Sequence, residues 1–218
     1  MEALNLKNLV IYGAGGFGRE VAWLVERINN NHHEWRVLGF IDDVKTEMYG
    51  KSINGLTVLG GREWFAENQK EVYVTCPVGS SRGRRFMYQF LAQYPNVKLA
   101  TIVDPSAMIG KASIIEDGVI IGVGARITVN SRIRRGVVVN HGSAVGHDSE
   151  LTEFCTLFVN VMVSGTVKLG ENSELGSGSF IREYLSVCSD VVIAPLSAVL
   201  RDITEPGLYA GNPARRMK

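Results

Sequence analysis

Every sixth residue from Ile109 to Val199 is Ile, Leu or Val, without a break. If about one residue in four is of these types, the run has a chance probability on the order of one in a billion. A second row starts four residues after each of these, from Ser113 to Ile203, and nearly all its members are small or β-branched. Neither an α-helix nor a flat alternating strand has a period of six. Each repeat reads instead as a short strand plus a corner, with one aliphatic side chain pointing inward and a small residue in the inner corner. One repeat cannot bury its apolar residue alone, whereas stacked coils make a continuous core. Adjacent coils then lie about 4.8 Å apart, joined by ladders like those of parallel sheets.

The 218 residues suit one or two domains. The net charge of +1 gives no reason to expect nucleic acid or a membrane surface as partner. Cys76, Cys155 and Cys188 lack metal spacing and cannot pair completely, so they read as reduced, buried residues of a cytoplasmic protein with no metal. No signal segment and no bilayer-length apolar run is visible, so no membrane insertion is expected.

Before the repeats stands a different unit. Leu9 to Tyr12 is a short apolar strand, Gly13-Ala14-Gly15-Gly16-Phe17-Gly18 satisfies GxGxxG, and a helix follows from about Arg19 to Ile28. Trp35 to Ile41 is the next strand and ends in Asp42-Asp43. This strand–glycine turn–helix–strand–acid order points to a nucleotide site. Gly13, Gly15, Gly16 and Phe17 would bring backbone N–H groups to a phosphate at a helix N-terminus, and Asp42 or Asp43 would accept from a ribose or base. The alternative is a turn that only closes helix onto strand. Further strands are expected at Glu71–Thr75 and Lys98–Val103, with helices near Arg62–Glu67 and Arg84–Gln93. Gly79 opens toward the same crevice, while Arg82, Arg84 and Arg85 read as a solvated helix face. The unit is too short for the second half of an NAD-binding domain, which makes a dinucleotide oxidoreductase the runner-up.

The expected organisation is a Rossmann-like α/β domain over 1–104, an all-β parallel β-helix over 105–203 and a capping tail over 204–218. With the N-terminal domain, the tail is expected to cover the solenoid's open ends. Arg132, Arg134 and Arg135 read as a solvated face. Arg215, Arg216 and Lys218 are candidates to neutralise coenzyme phosphates.

Four stretches, GAGGFGRE, GFIDD, NHGSAVGHD and YAGNPARRM, together with the hexapeptides, make nearly the whole chain resemble a known family. It is the hexapeptide-repeat sugar acetyltransferases of the sialic acid O-acetyltransferase and UDP-4-amino-sugar N-acetyltransferase type. The resemblance implies a left-handed β-helix of triangular section. It implies acetyl-CoA as co-substrate, a nucleotide-sugar acceptor in the N-terminal domain, and a homotrimer with active sites between subunits. It implies His147 as general base supported by Asp148, Gly165 as the backbone donor near the thioester carbonyl, and coenzyme contacts at Gly165, Ser177 and Pro195. His141 reads as a brace or a pocket wall. Amino-sugar enzymes often carry a second histidine nine residues after the first; here that position is Thr156, which leaves O-acetylation of sialic acid or another sugar hydroxyl open. A non-catalytic nucleotide-sensing scaffold is the reading of another class.

Overall fold

The computed structural model describes residues 6–217. Lys218 lies outside them. The N-terminal domain is built from β1 (Lys7–Tyr12), α1 (Gly16–Asn31), β2 (Trp35–Ile41), the hairpin β3 (Ser52–Ile53) and β4 (Leu56–Gly60), α2 (Trp64–Glu67), β5 (Val72–Thr75), α3 (Ser81–Leu91) and β6 (Val97–Leu99). The sheet order is β3-β4-β2-β1-β5-β6, parallel except for the hairpin. That hairpin was not anticipated, although Asn54-Gly55 between its strands is a strong turn signal. α1 starts at Gly16, inside the glycine stretch. Gly18 is needed there because a Cβ at this position would run into the Gly13 carbonyl.

From Ile102 onward the chain is a left-handed parallel β-helix of three sheets. The first sheet carries Ile102–Val103, Ile120–Ile121, Val138–Val139, Thr156–Leu157, Glu174–Leu175 and Val191–Ile193. The second runs from Met108–Ile109 to Ala198–Val199, and the third from Ile114–Ile115 to Ser186–Val187. Ile102–Val103 pairs with Ile120–Ile121, so the first rung precedes Asp104. Both sequence rows face inward and form one core from Val119 to Ile203.

The N-terminal domain does not cap the solenoid's open end. Met108, Ile109 and Ile114 in the early coils remain exposed. The domain instead straddles the first sheet. α3 runs along the corner between the third and first sheets and touches the same position in successive coils. Tyr88 Oη donates to Gly118 O at 2.7 Å, and Arg84 donates to Gly136 O at 2.6 Å and Phe154 O at 2.8 Å. Ser81 Oγ donates to Asn172 O at 2.9 Å, and Arg82 pairs with Asp190 at 3.2 Å. α1 runs along the corner between the first and second sheets. Its Arg27 binds Asp104 at 2.6 Å, and its Val21, Leu24, Val25 and Ile28 pack on Ile102, Ile120 and Val138. At the far end the tail does extend a sheet edge: Gly207–Ala210 pairs parallel with Val191–Ile193 and antiparallel with Arg215–Arg216.

This packing overturns one expectation. Arg84 is not on a solvated face; it is fully buried. Its guanidinium donates to the carbonyls of Gly136, Val78, Phe154 and Cys155 and to Thr156 Oγ1. Burial pulls its pKa below the ordinary guanidinium value. Arg82 and Arg85 are more exposed but also reach the solenoid, at Asp190 and Glu171. Arg134 bridges Glu116 and Glu150 across three coils, at 2.8 and 2.6 Å. Cys76 and Cys155 are buried as expected, and Cys188 only partly so.

Candidate active site

The hexapeptide corner gives His147 its setting. The chain turns between the second and third sheets at Gly146-His147-Asp148-Ser149, and Asp148 takes the left-handed conformation (φ 58) that this corner requires. His147 is exposed, and its Nδ1 lies 2.8 Å from Asp148 Oδ2. Asp148 Oδ1 accepts from Asn130 Nδ2 at 3.1 Å, one coil below. The hydrogen bonds from His147 and Asn130 hold the Asp148 carboxyl below the ordinary 3.8. An ionised Asp148 assigns the imidazole proton to Nδ1, which leaves the Nε2 lone pair free to accept a proton.

Gly165, one coil above, lies against the ring. A Cβ there would stand 2.6 Å from His147 Nε2 and 2.7 Å from Cε1. The Gly165 N–H has no acceptor among the described residues. Gly146 shares in this arrangement, because any side chain on it would collide with the Gly165 nitrogen. Sequence reading named His147, Asp148 and Gly165 and missed Asn130 and Gly146; the 18-residue coil spacing relates Asn130 to Asp148 and was the available signal.

The other expected residues lie elsewhere on the chain. Ser177 and Pro195 are exposed at the corner between the first and second sheets, one edge of the prism away from His147. The glycine loop and Gly79 lie on the domain that covers the first sheet, where Gly79 meets the Phe158 ring. His147 and the glycine loop of one chain therefore do not face each other.

The two helix N-termini of that domain differ. α1 has no side-chain cap and no acid in its first turn, so its leading N–H groups are open to an anion. At α3, Ser80 Oγ accepts from Gly83 N, and Glu174 of the solenoid accepts from Ser81 N at 2.8 Å. A phosphate thus finds free donors at α1 and occupied ones at α3. Asp42 and Asp43 are bonded into the loops beside the glycine stretch. Asp42 is buried; its Oδ2 accepts from Ala14 N at 2.7 Å and its Oδ1 from Val44 N and Lys45 N. Asp43 accepts from Tyr12 Oη at 2.6 Å and pairs with Arg62 at 2.8 Å. Both acids hold the surrounding loops together. Thr156 is also committed: buried, it donates to Gly79 O at 2.9 Å and accepts from Arg84.

Burial raises the thiol of each of the three cysteines. Burial pushes Cys155 up to about 12, and Cys76 higher still. Among the described residues no cluster of His, Cys, Asp and Glu could hold a metal ion, and no helix is long and apolar enough to cross a membrane. A cavity of about 700 Å³ lies between α1 and the β3–β4 hairpin and is lined neither by the glycine loop nor by His147.

A small α/β nucleotide domain seated on a left-handed β-helix, with a histidine–aspartate pair over a corner glycine, defines a hexapeptide-repeat acyltransferase. Residues 8–91 match the PglD N-terminal domain. The chain is 27% identical over 214 residues, covering 95% of both proteins, to GDP-perosamine N-acetyltransferase of Escherichia coli O157:H7. It superposes on the acetyltransferase domain of PglB from Neisseria gonorrhoeae FA1090, in complex with acetyl coenzyme A, with a TM-score of 0.89 and 29% identity, covering 97% of this chain and 100% of that one. PerB from Caulobacter crescentus, in complex with CoA and GDP-perosamine, shares the fold at a TM-score of 0.86 and 22% identity, with 98% of each chain covered. Over nearly its whole length the chain is thus similar to hexapeptide-repeat sugar acetyltransferases.

Proposed function

We propose that the protein transfers acetyl from acetyl-CoA to the amino group of a nucleotide-activated amino sugar in bacterial surface-glycan synthesis. The observation that carries this reading is the His147–Asp148 pair at 2.8 Å over Gly165. The acetyl-CoA complex of the gonococcal relative supports the donor, and the perosamine N-acetyltransferase supports an amine acceptor. The neutral amine attacks the thioester carbonyl, forming the C–N bond. His147 Nε2 takes the amine proton, and Asp148 stabilises the imidazolium. The Gly165 N–H stabilises the tetrahedral oxyanion. Collapse breaks the C–S bond, and CoA leaves as the thiol with the proton returned from His147. Thr156, buried against Arg84, carries no argument for O-acetylation.

The acceptor's diphosphate is assigned to the α1 N-terminus, with Gly13, Gly15, Gly16, Phe17 and Gly79 around it. Ser177 and Pro195 are assigned to the coenzyme, and the assembly is a homotrimer in the cytoplasm. In this arrangement the His147 corner of one copy completes the site with the glycine loop and coenzyme row of the next. Their separation on one chain supports a shared site.

The test is thiol release from acetyl-CoA against UDP- and GDP-linked 4-amino sugars, their hydroxyl counterparts and free sialic acid. Release with one amino sugar, lost in a folded His147→Ala protein, is the expected result. Release with hydroxyl sugars alone overturns the N-acetyl reading, and undiminished release in the variant overturns the role of His147.

A further inference from the structure

His141 sits at the corner between the first and second sheets, leaning over Gly122 one coil below. Its Nδ1 accepts the Val123 N–H at 3.0 Å. That bond places the proton of the neutral ring on Nε2, as a donor facing away from the solenoid. Opposite stands α1. Glu20 Oε2 is 3.7 Å from His141 Nε2, beyond a direct hydrogen bond, and half of the Glu20 side chain is exposed. Trp23, one turn along, meets the His141 ring edge-on at 6.3 Å between centroids. The Arg27 guanidinium lies over the indole at 5.2 Å, yet 46% of Trp23 remains exposed. A donor, an acceptor and an exposed indole thus converge from two domains. Glu20 begins the second turn of α1, about 6 Å along the axis from the open N–H groups at Gly16.

We propose that Glu20, Trp23 and His141 form the subsite for the sugar ring of the acceptor, a proposal that rests on the acetyltransferase reading above. A sugar hydroxyl both accepts and donates. Placed beside the 3.7 Å gap, it accepts a hydrogen bond from His141 Nε2–H and donates one to Glu20, linking two groups too far apart to bond directly. The indole supplies apolar surface to the C–H bonds of a pyranose. The spacing along α1 suits a ligand whose diphosphate occupies the helix N-terminus and whose sugar extends toward the second turn. These groups sit at the corner that also carries Ser177 and Pro195, so the ring and the coenzyme approach along one edge of the solenoid.

Calorimetry separates the sugar from the nucleotide. Wild type, Glu20→Gln, His141→Ala, His141→Gln and Trp23→Ala are titrated with GDP-perosamine against GDP, with a UDP-linked 4-amino sugar against UDP, and with acetyl-CoA. The expected result is that wild type binds one nucleotide sugar about tenfold or more tightly than its nucleoside diphosphate, and that Glu20→Gln and His141→Ala erase the difference. Affinity for the nucleoside diphosphate and for acetyl-CoA stays unchanged, and His141→Gln, which keeps a donor, retains part of the preference. Variants that keep the wild-type preference overturn the subsite, as does a loss that extends equally to the nucleoside diphosphate. Wild type that prefers no nucleotide sugar over its diphosphate overturns it too. Thiol release is read on the same samples. Sugar-dependent binding without release defeats the acetyl-transfer reading and leaves the subsite standing; release with wild-type binding in every variant does the reverse.

Discussion

Arg84 Nη2 donates to Thr156 Oγ1 at 2.9 Å across the junction of the two domains. Both are buried, and the hydroxyl in turn donates to Gly79 O in the loop before α3. The same guanidinium reaches carbonyls in two coils of the solenoid and in the loop before α3. No carboxylate among the described residues bonds to it; four carbonyls and the Thr156 hydroxyl accept its protons, and the Glu174 charge favours it from farther away. Removing it leaves several buried acceptors unpaired, each worth about 1–3 kcal/mol. Arg84→Ala is therefore expected to destabilise the protein by at least about 3 kcal/mol in denaturant unfolding. Thr156→Val, which removes one hydroxyl, is expected to cost about 1–3 kcal/mol. A Thr156→Val protein as stable as wild type would remove the hydroxyl from this account.

Gly165→Ala isolates the catalytic corner from the fold. Gly165 does not occupy the left-handed region, so alanine carries no backbone penalty there. The added Cβ would instead meet the His147 ring. Displacing the imidazole should lower kcat about a hundredfold, with acetyl-CoA affinity reduced less. Asp148→Asn should lower kcat about tenfold to a hundredfold while leaving the acceptor KM near its wild-type value, because it removes support from the imidazolium that forms only as the proton moves. Equal losses in kcat and in substrate affinity in both variants would argue for a disordered corner rather than a displaced base.

The sequence made these two corners unequally legible. A period of six over some ninety residues has one structural meaning, and the inward rows turned out buried along almost their whole length. His147, Asp148 and Gly165 were readable through the family resemblance, and the 18-residue coil spacing put Gly165 next to His147. Arg84 was not. It lies on the stripe Ser81, Arg84, Tyr88, Leu91 that α3 buries, and a charge in that stripe looks like surface until its partners are known. Four of those partners are main-chain carbonyls, three of them 52 to 71 positions away, and a carbonyl leaves no mark in a sequence. The partners of Asp42 and Asp43 were hidden for the same reason: the groups that bond to them are mostly backbone N–H.

Asp104 ties α1 to the first coil, and its ionisation sets an acid limit. Burial pushes its carboxyl up, but Arg27 and the two hydrogen bonds from Ser106 outweigh burial and hold it below the ordinary 3.8. A carboxyl lowered by folding adds stability that is complete above its unfolded value and is lost as pH falls through its folded one. Wild type should therefore lose midpoint stability as pH drops below about 4, and Asp104→Asn should be less stable at pH 7 with a flatter slope in that acid range. Parallel curves for the two proteins would show that this pair does not set the limit.

The open N-terminus of α1 permits a test in which stability and function move in opposite directions. Gly16 is exposed, has helical neighbours on its C-terminal side, and has free space where a Cβ would be added. Its helix has no acid in the first turn. Gly16→Asp places a carboxylate beside the open N–H groups, which should raise stability by about 0.3–1 kcal/mol through the helix dipole. The same carboxylate competes with the acceptor's diphosphate for those donors. The acceptor KM should rise about tenfold or more while KM for acetyl-CoA and the thermal midpoint do not fall. Destabilising variants usually lower activity by unfolding the protein, and a stabilised one with a selective acceptor defect escapes that explanation. An unchanged acceptor KM in a stable Gly16→Asp protein would move the diphosphate away from α1, and with it the distance argument that places the sugar beside Glu20 and His141.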